Sequence, residues 1–367
     1  MSVKGSLNKT LYMPSTPLNI LVSSALAIHK GKQNSGEEIA QVWLIDQKNI
    51  DNNPYVSALK KWSGSPFEKV KIFSGSNKEQ NKLKQRRKVF KELKAGLSSF
   101  SPNEVAVGSD RRVEFQYVMH LLSSTKVQVS GLYLDDGLYS YAGRIHHFIK
   151  DGINALLKKI AYGLWWREPK SVGASSWIDQ AWLFAPHQSI EVLKEKQSKQ
   201  LLPEWFIAPE ILDLSYLVAQ ELKYDVTNLA ELDIVILLPH PNNIKKMQGY
   251  EKRIQSLVKA LSEQGKYIGV KYHPRTNSED PLHLTSAGAK EVLPSLMAFE
   301  FCLPLFNKKC QVVGDIGTAL FTCKWLRPDL KVTAVLDEND AFQQRFISIS
   351  HSMGINVTNQ YEAIVKC

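Results

Sequence analysis

Two short polar motifs in opposite halves of the chain contain residue types that can do acid/base chemistry. Asp135-Asp136-Gly137 follows an apolar segment with the character of a β-strand, and His273-Pro274-Arg275 follows another. The carboxyl ends of parallel strands are where α/β sheets bind ligands. We therefore expect a carboxylate from one lobe and an imidazole from the other to face a central cleft.

The two adjacent acids, Asp135 and Asp136, lie at a predicted strand end, and Gly137 permits a tight turn after them. A carboxylate in this place can accept a proton from a hydroxyl nucleophile, and a positioned general base contributes about 10²–10⁴-fold to a rate. Binding a metal and capping the next helix are alternative roles. The motif by itself leaves these roles open.

His273 is followed by Pro274, which restricts the loop, and by Arg275, which adds positive charge. Such a group suits a phosphate oxygen that gains charge while a bond breaks. The alternative is a partly buried loop histidine. A second His-Pro pair, His240-Pro241, also follows a predicted strand, but Asn242 comes next instead of arginine. We therefore rank His240 below His273 as a site residue.

Two further positions in the second half suit a nucleotide. Gly314-Asp315-Ile316-Gly317-Thr318 joins a predicted strand to a helix, where backbone N–H groups and the Thr318 hydroxyl could bind a phosphate. Glu300 lies in a helix predicted over 295–303, where its carboxylate could accept from both hydroxyls of a ribose. A threonine-capped turn and an ordinary exposed glutamate are the respective alternatives.

Length and composition favour a soluble enzyme of two domains. The chain has 367 residues, with 44% hydrophobic and 22% charged residues. Its net charge of +10 suits a partner such as nucleic acid, anionic lipid or an acidic or nucleotide-linked sugar. The alternative is a basic surface that is simply solvated. The scattered cysteines form no CxxC pair, so we expect neither a zinc site nor a disulfide framework: Cys302, Cys310, Cys323 and Cys367. A cytoplasmic setting fits, and we recognise no signal peptide or spanning segment.

Strand and helix signals alternate in both halves, which predicts an α/β protein with mostly parallel sheets. The weakly patterned stretch over 201–232 is the predicted interdomain crossing. It divides the chain into domains 1–210 and 211–367, with the last helix a candidate for crossing back. The predicted strands are 11–13, 42–45, 70–73, 105–107, 127–134, 233–238, 267–272, 311–313 and 331–336, and the predicted helices include 18–26, a lysine-rich one over 78–98, and 250–261.

The segment 145–167 shows an apolar stripe at helical spacing, with Lys150, Lys158 and Lys159 off the stripe and Trp165-Trp166-Arg167 at its end. A basic amphipathic helix closed by tryptophans can lie in a membrane interface. The alternative is a core-facing helix with a solvated lysine face. The stripe comprises Ile145, Phe148, Ile149, Ile153, Leu156, Leu157, Ile160 and Leu164.

Taken in order, the motifs resemble those of the bacterial sialyltransferases and polysialyltransferases, which have the GT-B fold of two Rossmann-like domains. The order and the strand-end placement are the specific part, whereas the intervening sequence matches loosely. The resemblance covers most of the chain as an ordered set of motifs. These motifs are Ser15-Thr16-Pro17, Asp135-Asp136-Gly137, Lys271-Tyr272-His273-Pro274, Phe299-Glu300 and Gly317-Thr318.

The resemblance implies an inverting transfer of a nonulosonic acid, sialic acid in the first place, from a CMP-sugar to a hydroxyl of a glycan or glycolipid. It implies no metal, no cofactor and no nucleic acid partner. The acceptor would be a capsule or lipooligosaccharide precursor. The amphipathic segment 145–167, and not the resemblance, is the basis for expecting a cytoplasmic protein that is peripheral on the inner face of the inner membrane. A different GT-B transferase, using CMP-Kdo or CDP-glycerol, stays open, as does a basic module that binds RNA or anionic lipid.

The resemblance also implies residue roles. Asp135 would be the general base, with Asp136 as the alternative, and His273 would contact the departing phosphate. Glu300 would hold the cytidine ribose and Thr318 the phosphate. The remaining expected substrate-binding residues are Ser15, Thr16, Gly137, Pro274, Arg275 and Gly317. The family often has two hydroxyl residues in the last motif, and here Gly317 replaces the first of them.

Overall fold

The computed structural model describes residues 7–34, 37–48, 50–75, 82–125, 128–144, 148–315, 317–337 and 339–365. The chain forms two compact units, Met1–Phe206 and Ile207–Cys367, whereas the sequence places the division after residue 210. Several positions used in the sequence predictions lie outside the described residues: 78–81, Val127, Ile145, Ile316 and Cys367, and the side chains of Phe148, Ile149 and Lys150.

The first unit contains a parallel sheet with the strand order β3-β2-β1-β4-β5-β6-β7 in its described part. Strand β1 pairs with β2 on one side and β4 on the other, so the strand order reverses between β1 and β4. This reversal is the switch point at which such sheets bind ligands. The strands are β1 (Asn8–Tyr12), β2 (Glu38–Gln47), β3 (Phe67–Ser74), β4 (Glu104–Val107), β5 (Ser130–Leu134), β6 (Gln180–Leu183) and β7 (Gln197–Gln200).

Helices cover this sheet and bury its apolar side chains. The core includes Leu11, Trp43, Val105, Phe115 and Tyr133, all completely buried. The helices are α1 (Pro17–Gln33), α2 (Pro54–Lys61), α3 (Lys82–Ser99), α4 (Val113–Ser123), α5 (Tyr139–Ala142), α6 (Phe148–Tyr162) and α7 (Glu191–Lys194).

The second unit has the same kind of sheet, with the order β10-β9-β8-β11-β12-β13 in its described part. Its switch point lies between β8 and β11. Ile254 and Leu257 of α10 pack on Ile236 and Val270 of the sheet. The elements are α8 (Pro209–Glu221), β8 (Ile234–Leu237), α9 (Pro241–Ile244), α10 (Tyr250–Glu263), β9 (Ile268–Lys271), α11 (Leu284–Ala287), β10 (Glu291–Leu293), α12 (Phe299–Cys302), β11 (Gln311–Gly314), α13 (Thr318–Leu326), β12 (Lys331–Val335), α14 (Ala341–Ser352), β13 (Asn356–Thr358) and α15 (Glu362–Val365).

The predicted helix over 295–303 is wrong in its first half. A turn closed by the Met297 N–H and the Pro294 carbonyl, 3.1 Å apart, occupies that part. Ala298 is extended, with ψ 140°, so the α-helix comprises only Phe299–Cys302. Glu300 therefore lies in the first turn of a short helix.

The weakly patterned stretch over 201–232 also contains a regular helix, α8. Its buried side, which includes Ile211, Leu214 and Val218, packs within the second unit. The last helix, α15, packs against α10 of the same unit, where the Gln264 side chain donates to the Val365 carbonyl at 2.9 Å.

The described part of the apolar stripe of α6 faces outward, so the core-facing alternative is wrong for this part of the segment. Ile153, Leu156, Leu157 and Ile160 are exposed, and Asp151 is buried. Over the described residues, none of the helices combines the length and apolar character that crossing a membrane requires.

Candidate functional site

Asp135 is completely buried at the end of β5 and accepts four hydrogen bonds. Its Oδ1 accepts from the Gly137 N–H at 3.0 Å and from the Ser140 hydroxyl at 2.7 Å. Its Oδ2 accepts from the Phe184 N–H at 3.1 Å and from the Tyr141 hydroxyl. Burial raises the pKa of Asp135, and these hydrogen bonds oppose the rise. Since both oxygens are occupied, Asp135 fixes the turn that follows β5.

Asp136, the next residue, is partly exposed. Its Oδ1 accepts a hydrogen bond of 2.8 Å from the Asn19 amide, and the nearby Thr16 hydroxyl also favours the charged carboxylate. Burial raises the pKa of Asp136 to about 7, although the Asn19 bond and the charge of Arg112 oppose the rise. A carboxyl group with this pKa can take up and release a proton near neutral pH.

The turn after β1 supplies the partners of Asp136. Thr16 caps α1, and its hydroxyl accepts from the Asn19 N–H at 3.2 Å. The Ser15 hydroxyl donates to the Asn19 side-chain oxygen at 3.5 Å. A Cβ atom at Gly108, just after β4, would overlap the side chain of Asn19. The ends of β1, β4 and β5 therefore meet around Asn19, at the switch point of the first sheet.

An ion-pair network holds Arg112 near Asp136. Arg112 pairs with Asp46, whose backbone is left-handed with φ 56°. Arg86 lies 3.6 Å from the same carboxylate and also pairs with Glu114, which is completely buried. Buried charges that are paired in this way hold the loops that bear them. The network therefore fixes a positive charge beside the Asp136 carboxyl.

His240 and His273 lie side by side at the ends of the adjacent strands β8 and β9, with ring centroids 4.6 Å apart. Each Nδ1 accepts from the backbone N–H two residues later, His240 from Asn242 at 3.0 Å and His273 from Arg275 at 3.1 Å. Each neutral ring must therefore carry its proton on Nε2. Burial, and then the charges of His240 and Arg275, lower the pKa of His273. Pro274 and Arg275 are exposed.

Lys271 is buried and joins two loops of the second unit. Its ammonium group donates to the Tyr272 and Ser295 carbonyls, both at 3.2 Å. Burial lowers its pKa, and the nearby charge of Glu300 opposes that shift. The Lys271 side chain therefore holds the loop that bears His273 against the turn that leads to Glu300.

Glu300 is partly exposed, and its carboxylate accepts a hydrogen bond of 3.1 Å from the Thr322 hydroxyl of α13. Burial raises the pKa of Glu300, while Thr322 and the charge of Lys271 lower it. Thr322 and Thr318 are four residues apart in α13 and so share one face of that helix. Glu300 and Thr318 are thereby placed near the same side of α13.

The loop between β11 and α13 begins at a close approach of two strands. A Cβ atom at Gly314 would lie 2.9 Å from the Leu237 Cβ, so only glycine fits there. Gly317 caps α13 without a side-chain hydrogen bond, and Thr318 is exposed as the first helical residue. Space for a side chain remains at Gly317, where a Cβ atom would lie 4.0 Å from the Asp315 carbonyl oxygen. A helix start of this kind can bind a phosphate.

Asp315, in the same loop, is held by two tyrosines. Its carboxylate accepts from the Tyr250 hydroxyl at 3.0 Å and from the Tyr361 hydroxyl at 3.3 Å. Burial raises its pKa to about 6, against the effect of both hydrogen bonds. Asp315 therefore anchors the loop to α10 and to the residue that precedes α15.

Sequence reasoning missed Asn19, Lys271 as a loop-joining residue, and the pairing of His240 with His273. A signal exists for Asn19, because an asparagine interrupts the apolar side of α1. Within the described ranges, no three histidine, cysteine, aspartate or glutamate side chains are grouped as a metal site would need. Cys302, Cys310 and Cys323 are buried thiols.

No known family model matches this chain, and no curated protein matches it by sequence. Several solved structures match it over nearly its whole length. A sialyltransferase from Photobacterium damsela has a TM-score of 0.55 at 12% identity, covering 96% of this chain and 81% of that one. A UDP-GlcNAc 2-epimerase from Methanocaldococcus jannaschii has 0.52 at 13%, covering 98% and 91%. The wall teichoic acid polymerase TagF has 0.52 at 7%, covering 98% and 79%.

At these identities the likeness establishes the fold alone. The two parallel α/β sheets and the matched structures make this a GT-B fold, as the motif order predicts.

Proposed function

We propose that this protein is an inverting glycosyltransferase that moves a nonulosonic acid, sialic acid in the first place, from a CMP-sugar to an acceptor hydroxyl. The observation that carries the proposal is the partly exposed Asp136 carboxyl, with a pKa raised to about 7, at the switch point of the first sheet. Such a transfer needs a base for the acceptor, charge stabilisation for the leaving phosphate, and no metal or cofactor in principle.

In this proposal the base is Asp136 and not Asp135. Asp135 has both oxygens occupied inside the protein, so no acceptor hydroxyl can reach it. Asp136 would take the proton from the acceptor hydroxyl while that oxygen attacks the anomeric carbon and the bond to CMP breaks. Attack from the side opposite the leaving group inverts the anomeric centre.

The leaving phosphate would be stabilised by the second unit. The Nε2–H of His273 is a neutral donor, and its lowered pKa keeps the ring uncharged near neutral pH. The exposed side chain of Arg275, next to Pro274, would add positive charge. The start of α13 at Gly317 and the hydroxyl of Thr318 would bind a phosphate oxygen.

The nucleoside would be recognised through Glu300, whose carboxylate can accept from two ribose hydroxyls while Thr322 holds one oxygen. On the acceptor side, Ser15 and Thr16 lie in the turn beside Asp136, and Gly137 closes the turn after it. The proposed acceptor is a glycan or glycolipid precursor on the cytoplasmic side of a membrane.

A donor panel tests the proposal directly. Purified protein would be incubated with CMP-sialic acid, CMP-Kdo, CDP-glycerol and UDP-GlcNAc, with and without sugar acceptors, and release of each nucleotide followed. We expect CMP release from CMP-sialic acid that increases with acceptor and is lost in Asp136→Asn. Turnover of UDP-GlcNAc with none of the cytidine donors would contradict the proposal.

A second candidate is a GT-B transferase that uses CDP-glycerol or CMP-Kdo. The 4.6 Å pairing of His240 and His273 favours it, because two adjacent imidazoles can divide proton transfer and charge stabilisation at one phosphate. The fold likeness to TagF is compatible with it. In that case CDP-glycerol turnover should depend on both histidines and should survive Asp136→Asn.

A further inference from the structure

Helix α6 exposes apolar side chains and buries a charged one, which is the opposite of a helix packed on a core. The apolar side chains that face outward are unusually exposed: Ile153 by 55%, Leu156 by 60%, Leu157 by 57%, Ile160 by 75% and, just after the helix, Leu164 by 84%. The other exposed residues from 152 to 160 are the uncharged Gly152 and Asn154. This helix therefore presents a continuous apolar face, of the kind that marks an interaction site.

Two charged side chains of α6, Asp151 and Lys158, are held by partners elsewhere in the protein and fix the orientation of the helix. Asp151 is buried and accepts from Arg144 at 2.9 Å. Lys158 lies 2.9 Å from the Glu168 carboxylate and 4.3 Å from the centroid of the Trp166 ring. Rolling α6 to bury its apolar face would break these paired contacts and leave buried charges without partners.

The tryptophans at the end of this segment do not serve as surface anchors in the way that the sequence suggests. Trp166 is completely buried. Trp165 packs against Phe90 of α3 with ring centroids 6.1 Å apart, and against His120 at 5.7 Å. Phe90 also stacks on Tyr117 at 4.1 Å. These aromatic contacts place α3 directly beside the carboxyl-terminal end of α6.

Helix α3 brings a dense positive charge to this neighbourhood. Arg87 and Lys94 are three and four residues from Phe90, so they share its side of the helix. Among the side chains of α3 that the structure describes, the exposed cations are Lys84, Arg87, Lys88, Lys91 and Lys94, and Glu92 is the exposed acid. An apolar helix face thus lies beside a strongly basic helix.

We propose that the apolar face of α6, flanked by the exposed cations of α3, docks on an anionic membrane surface. Apolar side chains would enter the acyl boundary while the cations stay at the level of the headgroups. A second copy of this chain fits less well, because two-fold pairing of the α6 faces brings the basic α3 helices of both copies toward each other. The positive charge beside this apolar face is therefore complementary to anionic lipid, whereas it would repel the same surface of a second copy.

The apolar face of α6 belongs to the same β5–β6 connection as Asp136. A lipid-borne acceptor would consequently approach the proposed base from the membrane side of the first unit. The docking itself does not depend on the proposed transfer, since it is measured without substrate. A negative result with every donor sugar would therefore not contradict the docking.

Flotation of the full-length protein with lipid vesicles tests the proposal. We expect binding to vesicles of phosphatidylcholine with phosphatidylglycerol at low salt, much weaker binding at high salt, and little to phosphatidylcholine alone. Leu156→Gln/Ile160→Gln should weaken binding about tenfold or more, because both apolar side chains are lost from the face. The matched control Ile207→Gln/Tyr216→Gln changes exposed apolar residues of the second unit and should bind like the unaltered protein.

A further variant, Arg87→Gln/Lys94→Gln, tests the role of the cations. We expect its affinity for anionic vesicles to fall about fivefold per cation, the equivalent of about 1 kcal/mol. Its control, Lys252→Gln/Lys259→Gln, removes two exposed cations of α10. All four variants alter exposed side chains, and equal thermal unfolding temperatures would verify their folding. The proposal is overturned if the protein ignores anionic vesicles at low salt. It is also overturned if Leu156→Gln/Ile160→Gln instead converts a dimer to a monomer in light scattering.

Discussion

The side-chain amide of Asn19 donates a hydrogen bond of 2.8 Å to the carboxylate of Asp136, joining the first turn of α1 to the turn after β5. These two turns follow β1 and β5, which are separated in the sheet by β4. A donor favours the charged form of a carboxyl, so this bond holds the pKa of Asp136 below the value that burial alone would give. The contact therefore lowers the pH at which the proposed base can work.

Replacing Asn19 with alanine should move the acidic limb of the pH–activity profile upward. The limb of the unaltered enzyme should lie near pH 7, because Asp136 must be deprotonated and its pKa is about 7. Losing a bond to a charged group, worth roughly 1.5–3 kcal/mol, should move the limb by about one to two pH units. The measurement is kcat/KM against pH. Ser15→Ala, which loses a 3.5 Å contact to Asn19, is the control and should shift it little.

Asp136→Asn should reduce transfer by about 10²–10⁴-fold, since the amide cannot accept the proton from the acceptor. Its unfolding free energy should change little. Asp135→Asn should instead lower the unfolding free energy by about 1–3 kcal/mol, because an amide hydrogen would face a buried donor in place of a carboxylate oxygen. Denaturant unfolding and transfer rates together separate the roles. A fully active Asp136→Asn variant would show that Asp136 is not the base.

His273→Ala should cost about 2–4 kcal/mol of transition-state stabilisation, through the loss of one donor to the leaving phosphate. His240→Ala should cost less, but the two losses should not add, because the rings lie 4.6 Å apart. A double-mutant cycle on kcat/KM measures the coupling. Strictly additive losses would indicate that the two imidazoles act independently.

Glu300→Ala and Thr318→Ala should each weaken CMP binding, the first through a ribose contact and the second through a phosphate contact. Thr322→Val should give a smaller loss, because Thr322 holds Glu300 and does not itself touch the nucleotide in this proposal. Calorimetric titration with CMP gives all three affinities. Unchanged affinity in Glu300→Ala and Thr318→Ala would remove the nucleotide from this part of the second unit.

Asp315 should make the stability of the protein depend on pH. Its folded pKa of about 6 lies above the unfolded value of about 4, so the folded protein binds a proton between these pH values and the unfolded chain does not. The unfolding free energy should therefore decrease as the pH rises from about 4 to about 6. Asp315→Asn should flatten this part of the curve, measured by denaturant unfolding at several pH values. An unchanged slope would mean that burial does not raise the pKa of Asp315 in the folded protein.

The sequence predicts the alternation of strands and helices well because buried parallel strands are continuous apolar runs. It does not predict β7, since Gln197–Gln200 has no apolar signal and is held by pairing with β6. The sequence also does not show which of Asp135 and Asp136 is accessible to a substrate. Successive side chains after a strand point in different directions, and only the surrounding fold decides which one is buried.

The periodicity of α6 shows a stripe but not the side that it faces. A core helix and an interfacial helix have the same spacing, and the distinction comes from Asp151 and Lys158, whose partners lie elsewhere in the chain. The pairing of His240 with His273 is non-local in the same way. It follows from the adjacency of β8 and β9, which a strand pattern does not reveal until the sheet order is known.

The parallel pairing of all the described strands bears on how the chain folds as it is made. Two parallel neighbours cannot be joined by a tight hairpin. Each strand therefore pairs only after a segment further along the chain has been made. Thr10 of β1 is opposite Glu104 of β4, 94 residues later. At ribosomal rates of about 5–20 residues per second, β1 emerges about 5–20 s before its partner at the switch point. During this interval one edge of the nascent sheet stays open, and the apolar segments beside it are candidates for chaperone binding.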